Sequence, residues 1–96
     1  MPLGRYSPCI KEIGAENTFS DSVEICGDFN FSLSGAWSAT VHVQRSFDKG
    51  GTWLDVDYFT ANTEQTGNEP EESVVYRFGV KTGNYTSGTV VGKLSQ

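Results

Sequence analysis

The sequence has little of what most catalytic and metal-binding chemistry needs. Among 96 residues there are two cysteines and one histidine. A zinc site closed by Cys and His alone is excluded, and one completed by carboxylates has no recognisable ligand spacing. Cys9 and Cys26 could close a loop of moderate length. However, the opening MPLGRYSPCIKEIG has no continuous apolar run of the kind a signal peptide needs. The chain is therefore expected to stay in a reducing cytoplasm, or to leave only as part of something larger, with both thiols free. No apolar stretch approaches the roughly 20 residues of a membrane-spanning helix. The seven basic residues, Arg5, Lys11, Arg45, Lys49, Arg77, Lys81 and Lys93, are scattered, and the net charge is −5. Phosphate contacts need clustered Lys and Arg, so neither nucleic acid nor a membrane surface is an expected partner. A helical apolar period does not persist anywhere.

What the chain does have is glycine and aromatics: 11 Gly, six Phe, four Tyr and two Trp. Many turns between short strands, with aromatics filling a small core, are the reading this supports. The centre of the pattern is Arg45 to Trp53, RSFDKGGTW. Before it, Thr40 to Gln44 alternates polar and apolar residues. After it, Leu54, Val56 and Tyr58 alternate with Asp55 and Asp57. Such alternation marks strands with one buried face, and Asp48-Lys49-Gly50-Gly51 supplies the turn. A β-hairpin is expected here.

Elsewhere, Phe29, Phe31 and Leu33 share one face of a strand over 28–34. Trp37, Ala39, Val41 and Val43 share a face over 36–45, with Thr40, His42 and Gln44 opposite. Val74, Tyr76, Phe78 and Val80 share a face over 74–82, and a last strand covers 89–94. Trp37 and Tyr58 are expected to point inward, with Trp53 over the hairpin. Residues 61–73, ANTEQTGNEPEES, read as a long acidic loop. Residues 1–14, with Pro2, Gly4, Pro8 and Gly14, read as an extended N-terminal arm outside the sheet, pinned to the body or to a neighbour. The fold class is all-β: a single small antiparallel β-sandwich, jelly-roll or immunoglobulin-like, over 15–96, with the arm over 1–14.

Catalysis finds little support. His42 falls on the polar face of its strand, and no G-x-S-x-G elbow is present. Asp55 and Asp57 would share a face about 7 Å apart, a spacing that glycosidases exploit, but as alternating surface charges they read as solubilising. No glycine-rich loop precedes a helix to cradle phosphate. The clustered carboxylates of 61–73 are of a type that can bind calcium, but they lack EF-hand spacing. The expectation is a non-enzymatic protein without cofactor or metal.

Two resemblances bear on function. Ser46-x-Asp48-x-Gly50-x-Thr52-Trp53 resembles the Asp-box, the S-x-D-x-G-x-T-W hairpin of sialidase propellers and other β-proteins. That motif is usually scaffold, and a propeller of several four-stranded blades does not fit this length. Residues 28–96 resemble small β-sandwich virion proteins of tailed bacteriophages, through Phe31-Ser-Leu-Ser-Gly35, Ala39-Thr-Val41, Gln44-Arg-Ser-Phe-Asp48, Tyr76-Arg-Phe-Gly-Val80 and Tyr85-Thr-Ser-Gly88. The resemblance implies a decoration or cement protein in the virion, assembled in the host cytoplasm. It would form a homo-oligomer and bind the major capsid protein or another virion protein. Contacts are expected from Leu3, Tyr6 and Ile10 in the arm and from Glu64, Glu69, Glu71 and Glu72. The alternative is a carbohydrate-binding or host-adhesion module, with Tyr6 and Tyr85 as stacking residues.

Overall fold

In the computed structural model the described residues are 9–96. Leu3, Tyr6 and the first part of the expected arm lie outside them. Seven strands follow in order: β1 Cys9–Ile13, β2 Thr18–Phe19, β3 Val23–Ser34, β4 Trp37–Ser46, β5 Leu54–Phe59, β6 Thr63–Gly88 and β7 Val90–Ser95. The described residues contain no helix, and the fold is all-β. All pairings are antiparallel. They form one continuous sheet in the order β1-β7-β3-β6-β4-β5, with β2 added on β6, curled into a half-barrel.

The curl encloses the core. Phe31, Leu33, Val41, Val43, Val74, Tyr76, Phe78, Val80 and Leu94 are buried together with Ile13, Ile25 and Val90. The alternation that marked these strands therefore marks their concave faces. Phe31 packs on Phe78 with ring centroids 5.4 Å apart, and on Phe59 at 5.7 Å.

Glycine makes part of this packing. A Cβ on Gly92 would lie 2.3 Å from the Phe78 ring, and one on Gly67 would lie 2.6 Å from the Phe29 ring. Phe29 and Gly67 are register partners on β3 and β6, so the ring lies over the bare backbone beside it. Phe78 instead crosses the concave interior from β6 to reach β7. Two aromatic rings thus occupy volume that side chains at 67 and 92 would otherwise take.

Three expectations need correction. Residues 9–13, assigned to the arm, form the edge strand β1 on β7, with Cys9 opposite Leu94 and Ile13 opposite Val90. Ile13 is fully buried, which anchors this strand. Residues 61–73 are not a loop: β6 begins at Thr63 and its first part pairs with β3 from Leu33↔Thr63 to Gly27↔Glu69. Pairing resumes at Ile25↔Val74, so residues 70–73 bulge out of the ladder, and Ser73 takes a φ of 61°. A bulge of this kind bends a strand. Residues 83–88, expected to turn the chain between the strands over 74–82 and 89–94, are likewise strand, since Tyr85, Ser87 and Gly88 pair with Ala39, Ser38 and Trp37.

Candidate functional site

The hairpin between β4 and β5 is held by its own polar side chains. The buried Ser46 hydroxyl accepts the Gly50 amide at 2.8 Å and donates to Asp48 Oδ1 at 2.6 Å. Asp48 Oδ1 also accepts the Thr52 amide at 2.7 Å. These bonds, first from Ser46 and then from Thr52, hold the Asp48 carboxyl below its usual range. Gly50, at φ 97°, takes a conformation that favours glycine and lies under the Trp53 ring, 3.5 Å from where its Cβ would be. Ser46, Asp48, Gly50, Thr52 and Trp53 therefore work as one local unit that closes a turn.

From that turn a polar network spreads over the outer face of the sheet. The Arg77 guanidinium lies 4.3 Å from the centre of the Trp53 ring and 4.0 Å from that of Phe19. Its Nε donates to Gln44 at 2.8 Å, and Gln44 donates to Asp55 Oδ1 at 2.9 Å. Lys81 binds Asp55 Oδ2 at 2.6 Å. Lys81 and then Gln44 hold the Asp55 carboxyl below its ordinary range. His42 is half-buried, and its Nδ1 has no hydrogen-bond partner among the described residues. Burial, then the nearby Lys81 charge, push the imidazole below its ordinary value, against an opposing effect of Asp55. The expected solvated histidine is thus partly enclosed.

Asp55 and Asp57 do not share a face. The ladder slips between Val43↔Asp57 and Gln44↔Asp55, leaving Val56 as the extra residue. Asp57 falls beside the core residue Val43, while Asp55 joins the outer network. The same slip separates Tyr58 from the concave side. It pairs with His42, their rings 6.0 Å apart, and is 63% exposed instead of inward.

Glu69 is the other departure. It was expected to be a surface contact, yet it is 0% exposed. Its Oε1 accepts Arg45 at 2.8 Å and the Tyr76 hydroxyl at 2.7 Å, and its Oε2 accepts the Glu71 amide at 2.9 Å. Burial alone would raise its pKa. The bonds from Tyr76, Glu71 and Arg45 more than offset this and leave it lowered. Burial and the bond to Glu69 push Tyr76 up to about 12. Glu64, Glu71 and Glu72 are exposed, and Ile10 on β1 is 58% exposed. They lie on different parts of the sheet and do not converge. Tyr85, expected to be free for stacking, is half-buried and donates its hydroxyl to the Gly88 carbonyl at 2.7 Å. Trp37 is half-buried and donates to Asn62 at 2.6 Å. Cys9 and Cys26 are unbridged.

Sequence reasoning missed the free edge of β5. Among the described residues this strand pairs with β4 on one side only, and the first part of β6, Thr63 to Glu69, pairs with β3 only. Between these two edges lies a cavity of about 120 Å³ whose lining combines apolar residues, among them Phe29, Phe31, Val56 and Phe59, with the polar Asp57, Gln65 and Thr66. Leu54 and Val56 on the edge strand are 48% and 47% exposed. Half-exposed apolar residues beside unpaired backbone groups can bind a polypeptide strand. The alternation in LDVDYF hinted at this strand, but not at the slip that turns its residues. No family model matches the chain, no curated protein matches it, and no solved structure matches its fold.

Proposed function

We propose that the chain is a non-enzymatic virion structural protein, a decoration or cement protein that binds the major capsid protein of a tailed bacteriophage and stabilises the head. The observation that carries this reading is the edge of β5, unpaired among the described residues, with Leu54, Val56 and Tyr58 exposed along it. An open strand edge is a liability in isolation and a binding element in an assembly. The resemblance of residues 28–96 to phage virion proteins supplies the particular assembly. The finer fold reading that accompanies it is a β-sandwich, its two layers being the two flanks of the curled sheet. The contact of Phe78 with Gly92 across the interior supports that reading.

The test is co-sedimentation with phage heads stripped of accessory proteins, alongside light scattering of the free protein. Saturable loading at a fixed ratio to capsid subunits, with an oligomer in solution, is the expected result. A monomer that never sediments with heads refutes the proposal. Because β1 includes residues 9–13, a truncation aimed at the N-terminal contacts must stop at residue 8. Loss of loading is expected when residues 1–8 are removed. The second reading, a carbohydrate-binding or host-adhesion module, is favoured by the exposed Tyr58 ring beside His42. A glycan array tests it, and an array without signal removes it.

A further inference from the structure

The β5 edge and the start of β6 form a bounded opening in the sheet. At one end the strands are joined through residues 60–62. At the other, Arg45 on β4 reaches Glu69 on β6 at 2.8 Å and closes the gap. Between these ends, backbone groups of both strands face the opening without ladder partners among the described residues. The floor is aromatic, with Phe29, Phe31 and Phe59. The cavity of about 120 Å³ has room for one apolar side chain, and beside it, toward Arg45, a more open hollow of about 440 Å³ runs between Leu54–Val56 and Gly67–Asn68.

The two strand segments that border the opening carry charge of one sign. β5 and the first part of β6, through residue 72, carry Asp55, Asp57, Glu64, Glu69, Glu71 and Glu72 and no basic residue. Asp55 is paired with Lys81 and Glu69 with Arg45. The other carboxylates make no ion pair among the described residues. A second copy of the chain, joined edge to edge along β5, would set Asp55 and Asp57 against their equivalents, and like charges facing across a ladder are destabilising. A basic occupant meets no such cost.

We propose that this opening binds a short extended segment of a protein partner. The segment adds as a strand to β5, places one apolar side chain into the cavity between Val56 and Gly67, and sets Lys or Arg beside Asp57. The proposal rests on the reading of the chain as an assembly protein and names the chemistry of its partner. Main-chain hydrogen bonds along β5 hold the segment, and the cavity selects the side chain, as in other strand-addition complexes.

The probe is a capped heptapeptide that alternates lysine with valine around a central phenylalanine. Its binding is followed by calorimetry and by amide hydrogen exchange. Added protection is expected along β5, and a peptide with glutamate in place of lysine should not bind. Val56→Lys changes a half-exposed residue that the fold does not need buried. It should weaken binding at least about tenfold, through lost apolar contact and like-charge repulsion. Asp57→Asn should weaken it by about two- to fivefold and flatten the salt dependence. Glu12→Gln, which neutralises an exposed carboxylate on the opposite edge strand β1, should bind as wild type does. Equal binding of the glutamate peptide, protection mapped to β1, or no binding at all overturns the proposal. Loading onto heads separates the two readings. If Val56→Lys loads as fully as wild type, the opening is not the docking site although the decoration reading stands. If wild type binds the peptide but never heads, the opening stands and the decoration reading falls.

Discussion

Replacing Gly92 by alanine tests the claim that the curled sheet is closed by a ring pressed onto bare backbone. The new Cβ would lie 2.3, 2.8 and 2.8 Å from three atoms of Phe78, where carbon–carbon contacts settle near about 3.5 Å. Roughly an ångström must be found by moving either strand β7 or the ring. Phe78 is completely buried and packed against Phe31, so it has nowhere to go. Gly92 does not have a positive φ, and alanine itself fits its backbone. That fit would favour the variant by about 0.4–1 kcal/mol through the unfolded chain, whereas overpacking costs about 1–3 kcal/mol. The steric cost wins, and a net loss of about 1–2 kcal/mol is expected. For a domain of this size each kcal/mol lowers Tm by roughly 4–8 °C.

The assay is urea unfolding followed by tryptophan fluorescence, read as a shift in midpoint at constant slope. Phe78→Leu supplies the control. Alone it removes packing and costs about 1–2 kcal/mol, part of the ~3–5 kcal/mol of full truncation. Combined with Gly92→Ala it also removes the clash, so the double variant should be more stable than additivity predicts by at least about 0.5 kcal/mol. A Gly92→Ala protein within about 0.5 kcal/mol of wild type, or a strictly additive pair, would refute the reasoning.

Other consequences can be measured on the same footing. Because the Glu69 carboxyl titrates below its unfolded value, its stabilisation is present above pH ~4.3 and disappears as the pH falls through the folded value. Glu69→Gln should therefore flatten the acid limb of a stability–pH profile, and an unchanged limb would contradict the buried triad. Ser46→Ala deprives the Gly50 amide of its acceptor and should cost about 1–2 kcal/mol, with a red shift of Trp53 emission as the ring loosens. Arg77→Lys keeps the charge but loses the planar group over Phe19 and Trp53. A loss of about 0.5–2 kcal/mol is expected in thermal unfolding, and no change would mean the stack contributes nothing.

The concave face was legible because it follows local rules. Phe31, Leu33, Val41, Val43, Val74, Tyr76, Phe78 and Val80 alternate with polar neighbours and are buried. The hairpin was legible for a similar reason, since Ser46, Asp48 and Gly50 satisfy one another within a few residues. What could not be read depends on distant partners. Thr63 to Glu69 looks polar on both faces. It is a strand because Phe29 from β3 covers Gly67, and because Arg45 and Tyr76 satisfy the buried Glu69. The slip at Val56 has no compositional mark, so the placement of Asp57 and Tyr58 was beyond the reach of alternation.

Strand β6 carries a consequence for the integrity of the molecule. Twenty-six residues of straight strand would run about 85 Å, yet the longest dimension of the protein is 40 Å. The chain bends where residues 70–73 leave the ladder; before that point it is held by β3, and after it by β3 and then β4. A protease that nicks the exposed Pro70–Ser73 bulge would therefore cut the backbone without releasing either piece. The severed halves should elute together under native conditions and part only in denaturant. Mixed as separate polypeptides, they should reassemble, because each lacks strands that only the other supplies.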